Sequence, residues 1–292
     1  MALDEKPIYP RGYMILTLRC NLKCRMCNYM VPYLHDPWHP SLVELTDAFD
    51  KLLQIADYET FDFSGGEIFL RKDLAEFLRF VHRYIDNIKN SISIVTNCTI
   101  PLEDDLLDSI LCFGNKIRVI LDNYGDLSPH FQDIHDRLFA KGIRIDVHNY
   151  TGESQYCGGW TDRCFNPDIN DTRNKDFECL GGASPHIPYL AGKVGFCAPS
   201  ILLKMLYGID YQESNFFNLN DEELTLEQKR EKCGRILLQK QCAACKHHTP
   251  LNGEDKQRFS AAEQLTKEEI ELIRKRKLEP DEIYAMTRKG IK

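Results

Sequence analysis

Cys20-Asn21-Leu22-Lys23-Cys24-Arg25-Met26-Cys27 follows directly on the apolar run Tyr13-Met14-Ile15-Leu16-Thr17-Leu18. A short, nearly continuous apolar run predicts a strand buried on both faces of a parallel sheet. It delivers Cys20 to the strand's C-terminal end, where barrels and open α/β sheets bind ligands. Three thiols separated by three and then two residues can fold one short loop over a face of a cube-shaped iron–sulfur cluster, leaving the fourth iron without a protein ligand. Zinc is the competing occupant, because three cysteines with His35 or His39 complete a four-ligand set, although the gaps are not those of paired zinc knuckles.

Outward from this loop the pattern is strand and helix in strict alternation. Residues 31–40 hold three prolines, two histidines and Trp38 and read as irregular structure beside the site. Ser41 and Glu44 form a capping box, and Leu42, Leu45, Phe49, Leu52, Leu53 and Ala56 continue at helical spacing. A strand over 60–63 ends in Ser64-Gly65-Gly66-Glu67, where two glycines let backbone approach a neighbour closely. A helix over 73–85 and a strand over 92–95 lead to Thr96-Asn97-Cys98. A helix over 103–113 and a strand over 116–121 lead to Asp122-Asn123. A helix over 129–140, stopped by Gly142, and a strand over 143–147 lead to His148-Asn149-Tyr150. Five strands alternating with four helices predict a parallel sheet with helices outside.

Composition narrows the class. The chain has 292 residues, room for one core and an appended unit at about 150 residues per domain. Residues 1–11 lack an apolar signal core, and no apolar run approaches the roughly 18 residues of a membrane span, so a soluble, cytoplasmic protein without membrane contact is expected. Twelve cysteines in such a protein point to metal or catalysis before disulfides. The net charge of -7 argues against a nucleic-acid partner and suits a small polar or cationic substrate.

The Cys-x3-Cys-x2-Cys loop after a first strand, with Gly65-Gly66-Glu67 at the end of the second, resembles the radical S-adenosylmethionine (radical SAM) enzymes. The resemblance implies a partial, open TIM-type barrel over 1–150 and a 4Fe–4S cluster on Cys20, Cys24 and Cys27. It also implies SAM chelated to the open iron and cleaved to a 5'-deoxyadenosyl radical, with electrons from a flavodoxin or ferredoxin. Gly65, Gly66, Glu67, Thr96, Asn97, Asp122 and His148 become the candidate cofactor contacts, with Asn149 and Tyr150 beside them. Cys98 departs from a common Thr-Asn-Gly, and Ile120 replaces a serine that often contacts the SAM ribose.

Residues 151–178, with Cys157 and Cys164, read as a loop closing over the barrel mouth. Residues 187–196 read as a β-hairpin with Ala191-Gly192 at its turn, returning Cys197 toward Cys179. Cys242 and Cys245 follow a helix over 225–240. The set Cys179, Cys197, Cys242 and Cys245 resembles the one-cluster "twitch" form of the SPASM extensions, which implies a second, auxiliary 4Fe–4S cluster over 179–248, zinc being the alternative. The residues from 249 on are charged, with a Thr266-x-x-Glu269 capping box, and are assigned no chemistry.

A truncated barrel with one auxiliary cluster most resembles the 2-deoxy-scyllo-inosamine dehydrogenases, which implies oxidation of an alcohol on a carbohydrate-like or aminocyclitol-like substrate. An epimerase with Cys98, Cys157 or Cys164 as hydrogen donor, a ribosomal-peptide-modifying enzyme and a non-catalytic metal-binding protein are the alternatives. The dozen residues before the first strand leave no room for an N-terminal leader-binding segment, which weighs against the peptide reading.

Overall fold

The computed structural model describes residues 6–156, 184–207, 216–240, 260–276, 278 and 282. The expected alternation is present: β1 Ile8–Thr17, α1 Leu42–Ile55, β2 Asp57–Gly65, α2 Leu74–His82, β3 Ile88–Thr96, α3 Asp104–Leu111, β4 Ile117–Asn123, α4 Phe131–Ala140 and β5 Arg144–Asn149. Helix α1 opens on the Ser41–Glu44 capping box, both reciprocal hydrogen bonds being formed. The hairpin follows as β6 Ile187–Leu190 and β7 Lys193–Val194. Ala191 and Gly192 both take positive φ at its turn, 50° and 80°, as a two-residue turn between twisted strands requires. Helix α5 Ala198–Tyr207, strand β8 Phe217–Asn218, helix α6 Leu226–Leu238 and helix α7 Lys267–Lys275 complete the described elements.

Among the described residues the strands form one sheet in the order β5-β4-β3-β2-β1-β6-β7-β8. Strands β1 to β5 are mutually parallel, and β6 runs parallel to β1, pairing Gly12 with Ile187 and Met14 with Tyr189. The parallel sheet therefore does not stop at the five strands expected from local pattern. The hairpin adds a sixth on the β1 side, and β7 and β8 extend it antiparallel.

The two faces of the sheet differ in chemistry. Phe61, Phe63, Ile92, Ile94, Val119 and Leu121 point to one face and form a core with Phe49, Phe77, Leu107, Ile110, Ile134 and Leu138 of α1 to α4. Aromatic edges meet there, Phe63 against Phe77 at 5.3 Å between ring centres. Because strand side chains alternate, the opposite face carries Tyr13, Asp62, Ser93 and Arg118, which lie side by side in register across four strands. The sheet has an oily outer face under the helices and a polar inner face.

Candidate active site

The C-terminal ends of β1, β2 and β3 are locked together around the cysteine loop. Gly66 N–H donates to Thr17 O at 2.8 Å and Glu67 N–H to Arg19 O at 2.9 Å. A Cβ on Gly65 would lie 2.3 Å from Thr17 O, and one on Gly66 would lie 2.2 Å from Arg19 O and 3.1 Å from Cys20 Cβ. No side chain fits at either position, so both glycines are demanded by the approach of β2 to the first residues of the loop.

Glu67 is fully buried and spans from β2 to β3. Its Oε1 accepts from Phe69 N–H and Thr96 Oγ1, both at 2.9 Å, and its Oε2 accepts from Asn97 N–H at 2.7 Å. Burial pushes its carboxyl pKa up to about 7, against these three hydrogen bonds, which pull it down. These bonds tie the end of β2 to the end of β3 at the floor of the site. Asn97 turns its side chain to the loop, with Nδ2 3.6 Å from Cys20 Sγ, at the outer limit for a hydrogen bond to sulfur. At the neighbouring strand ends, Asp122 Oδ1 lies 2.9 Å from Nδ1 of the half-exposed His148. The carboxylate raises the His148 pKa above its ordinary value, the largest cause being this hydrogen bond. Tyr124 and Tyr150 stack beside the pair with ring centres 5.2 Å apart.

Cys20, Cys24 and Cys27 are thiols. Burial first, and then the nearness of Cys27, pushes Cys20 up to about 12 and pushes Cys24 up as well. Cys20 and Cys24 therefore become thiolates readily only beside a cation, which is what a cluster supplies. Among the described residues no three His, Cys, Asp or Glu side chains converge on a single metal ion, as a mononuclear zinc site requires. His39, the zinc alternative's fourth ligand, has Nδ1 2.8 Å from Thr17 Oγ1. Three thiols on one short loop are the donor chemistry that an iron–sulfur cube takes.

Two placements bear directly on the reading of the sequence. Cys98 is fully buried in the helix-side core with φ of 56°, the left-handed conformation that glycine adopts without cost. The C-terminal residues, assigned no chemistry in sequence, lie against the cysteine loop: Arg25 N–H donates to Glu263 O at 2.7 Å and Leu265 N–H to Lys23 O at 2.9 Å. Cys197 is described and half-buried at the start of α5, whereas Cys157, Cys164, Cys179, Cys242 and Cys245 lie outside the described residues.

Sequence reasoning also missed the inner face. Arg11 pairs with Asp62, Tyr13 with Tyr29, and Tyr29 OH lies 3.2 Å from Ser64 Oγ. Arg118 reaches Ser93 Oγ at 2.9 Å and Asp146 at 2.8 Å. Asp62 is 2% exposed and its Oδ1 has no hydrogen-bond partner among the described residues. The signal was the alternation of polar side chains at Asp62, Ser64, Ser91, Ser93 and Arg118, hidden between apolar neighbours.

Residues 14–145 match the family model of the Radical SAM superfamily. Among solved structures, BtrN in complex with AdoMet and 2-DOIA superposes with a TM-score of 0.50 at 15% identity, over 89% of this chain and 100% of that one. Native anSMEcpe with bound AdoMet and Cp18Cys peptide gives 0.36 at 20% identity, over 47% of this chain and 42% of that one. Streptococcus suis SuiB bound to S-adenosylmethionine gives 0.32 at 15%, over 49% and 41%. The chain thus spans less than half the length of anSMEcpe and SuiB, and no curated protein matches it in sequence. Residues 14–145, a little under half of the chain, are thus similar to the radical SAM superfamily and fold as an open parallel sheet of partial-barrel type. The family implies a 4Fe–4S cluster, SAM and SAM cleavage; among the described residues no helix is long and apolar enough to cross a membrane.

Proposed function

We propose that the chain is a radical SAM dehydrogenase that oxidises an alcohol on a small polar substrate of carbohydrate or aminocyclitol type. Bound to Cys20, Cys24 and Cys27, a 4Fe–4S cluster with SAM supplies a 5'-deoxyadenosyl radical. The neighbouring strand ends, with Gly65, Gly66, Asn97, Asp122 and His148, hold SAM. Glu67 and Thr96 keep those ends in register from behind.

The polar inner face carries this reading. A row of Tyr13, Asp62, Ser93 and Arg118 gives this face hydroxyl, carboxylate and guanidinium groups, the chemistry that lines a pocket for a polar substrate. The 2-DOIA bound in BtrN is consistent with this preference.

In the proposed reaction the carbinol C–H gives its hydrogen atom to the deoxyadenosyl radical, forming 5'-deoxyadenosine. The remaining carbon radical loses its hydroxyl proton to a base and one electron to an acceptor, leaving a ketone. Cys179, Cys197, Cys242 and Cys245 would hold a second 4Fe–4S cluster, which would supply the electron acceptor, and a flavodoxin or ferredoxin would supply the electron for SAM cleavage. The enclosure of Cys98 in the helix-side core favours oxidation over epimerisation with Cys98 as hydrogen donor.

The test is anaerobic reconstitution of the wild type and a Cys20/Cys24/Cys27 triple alanine variant, followed by SAM, reductant and a panel of aminocyclitols and sugars. About eight irons falling to about four, 5'-deoxyadenosine only from the wild type, and a product two hydrogens lighter support the reading. Zinc in place of iron, or no cleavage by iron-loaded wild type, sinks it.

A further inference from the structure

Residues 260–276 cross the cysteine loop as a strap fixed at both ends. At one end Ala261 N–H donates to Gln155 O at 2.8 Å and Ser260 Oγ to Gln155 Oε1 at 2.7 Å, just beyond β5. At the other, Leu265, Ile273 and Leu278 are buried with Ile15, Leu18, Met30 and Tyr33, beneath and beside the loop. Between them Cys24 and Gln264 form an antiparallel bridge. Arg25, only 5% exposed, donates to Glu263 Oε1 at 2.9 Å and through two nitrogens to Glu269 at 2.7 and 2.9 Å. The strap also carries one side chain to a cluster ligand. Gln264 Nε2 lies 3.3 Å from Cys24 Sγ.

The hydrogen bonds fix which end of that amide faces the sulfur. The main-chain N–H of Lys23 meets the Gln264 side chain at 2.6 Å, and an N–H requires an acceptor there, so that atom is Oε1. Nε2 must then face the other way, toward Ala262 O at 2.6 Å and Cys24 Sγ. Its two hydrogens have two acceptors, and a flipped amide would set donor against donor at Lys23.

We propose that Gln264 is a positioning residue for the redox centre: its amide donates to the Cys24 thiolate and sets the reduction potential of the cluster on Cys20, Cys24 and Cys27. This rests on the radical SAM reading of that loop. A donor aimed at a ligand sulfur stabilises the more negative, reduced cluster, and hydrogen bonds to sulfur are among the levers that set such potentials. The strap's anchors hold the donor in place, and its bulk keeps water from Cys24, which is 8% exposed.

The test compares the reconstituted wild type with Gln264→Leu, Gln264→Glu and Ser260→Ala in a redox titration followed by electron paramagnetic resonance. Q264L shifts the potential of the SAM-binding cluster to more negative values, and Q264E, which replaces the donor with a negative charge, shifts it further. S260A removes one of the two hydrogen bonds at the Gln155 anchor, keeps the main-chain one from Ala261 and touches neither Gln264 nor Cys24, so it leaves the potential at the wild-type value. A Q264L protein with four irons at the first site and an unshifted potential overturns the proposal while leaving the radical SAM reading intact; a wild type that takes up no cluster overturns both. In wild type labelled with 15N in glutamine side chains, the reduced cluster shows 15N hyperfine coupling, and its absence overturns the proposal even where the variants load poorly.

Discussion

Glu67 Oε2 accepts the main-chain N–H of Asn97 at 2.7 Å, so a carboxylate at the end of one strand holds the end of the next. Phe69 N–H donates to the other oxygen, so an obligate donor faces each oxygen, and glutamine offers one acceptor oxygen. Glu67→Gln is expected to cost about 1–3 kcal/mol in urea unfolding of the cluster-free protein. The pH dependence has a definite sign. Burial raises the folded-state pKa from 4.5 to about 7, so between those values the folded chain holds a proton that the unfolded chain has released. This contribution to stability is therefore greatest below about 4.5 and declines as pH rises through about 7. That part of the slope is absent in the variant.

Gly66→Ala tests the close approach of β2 to the cysteine loop. The added methyl would sit 2.2 Å from Arg19 O, a backbone atom held in place by the Glu67 N–H. A loss of about 1–3 kcal/mol is expected from the overpacking. Iron retained after reconstitution falls as well, because the displaced atoms adjoin Cys20. Unfolding curves and iron analysis on the same preparation check both.

Asp122 controls the protonation of His148. With the carboxylate 2.9 Å from Nδ1, the folded-state pKa lies above the ordinary 6.5. The stabilising pair is complete below that ordinary value and is lost as pH rises through the raised one. In an NMR titration of the imidazole, Asp122→Asn returns the midpoint toward 6.5 or below. An unchanged midpoint would show that another group holds the proton.

Periodicity located β1 to β5 and α1 to α4 because each is a local pattern: apolar runs, capping residues and stop signals lie within a dozen residues of one another. The cysteine loop and Gly65-Gly66-Glu67 were legible for the same reason. The pairing of Gly12 with Ile187 was not, since register between segments so far apart leaves no trace in either one. The contact of Gln264 with Cys24 spans 240 residues and was invisible on the same ground. The inner-face carboxylate Asp62 is a different case. Its alternation with Phe61 and Phe63 was in the sequence, but a short apolar run reads equally as a strand buried on both faces.

Cys98 offers a final test, of backbone and chemistry together. Its φ of 56° costs a non-glycine residue roughly 1 kcal/mol, and the fully buried thiol offsets this through its packing. Cys98→Ala removes the sulfur and keeps the strain, whereas Cys98→Gly removes both. The glycine variant is therefore expected to be at least as stable as the alanine variant, the reverse of the usual order at a buried site, and thermal unfolding of the pair decides it. Both variants are expected to keep product formation, because the thiol lies among Ile94, Leu102 and their neighbours in the helix-side core. A C98A protein with full iron content and intact SAM cleavage that no longer forms product would make Cys98 the hydrogen donor and turn the reaction from oxidation to epimerisation.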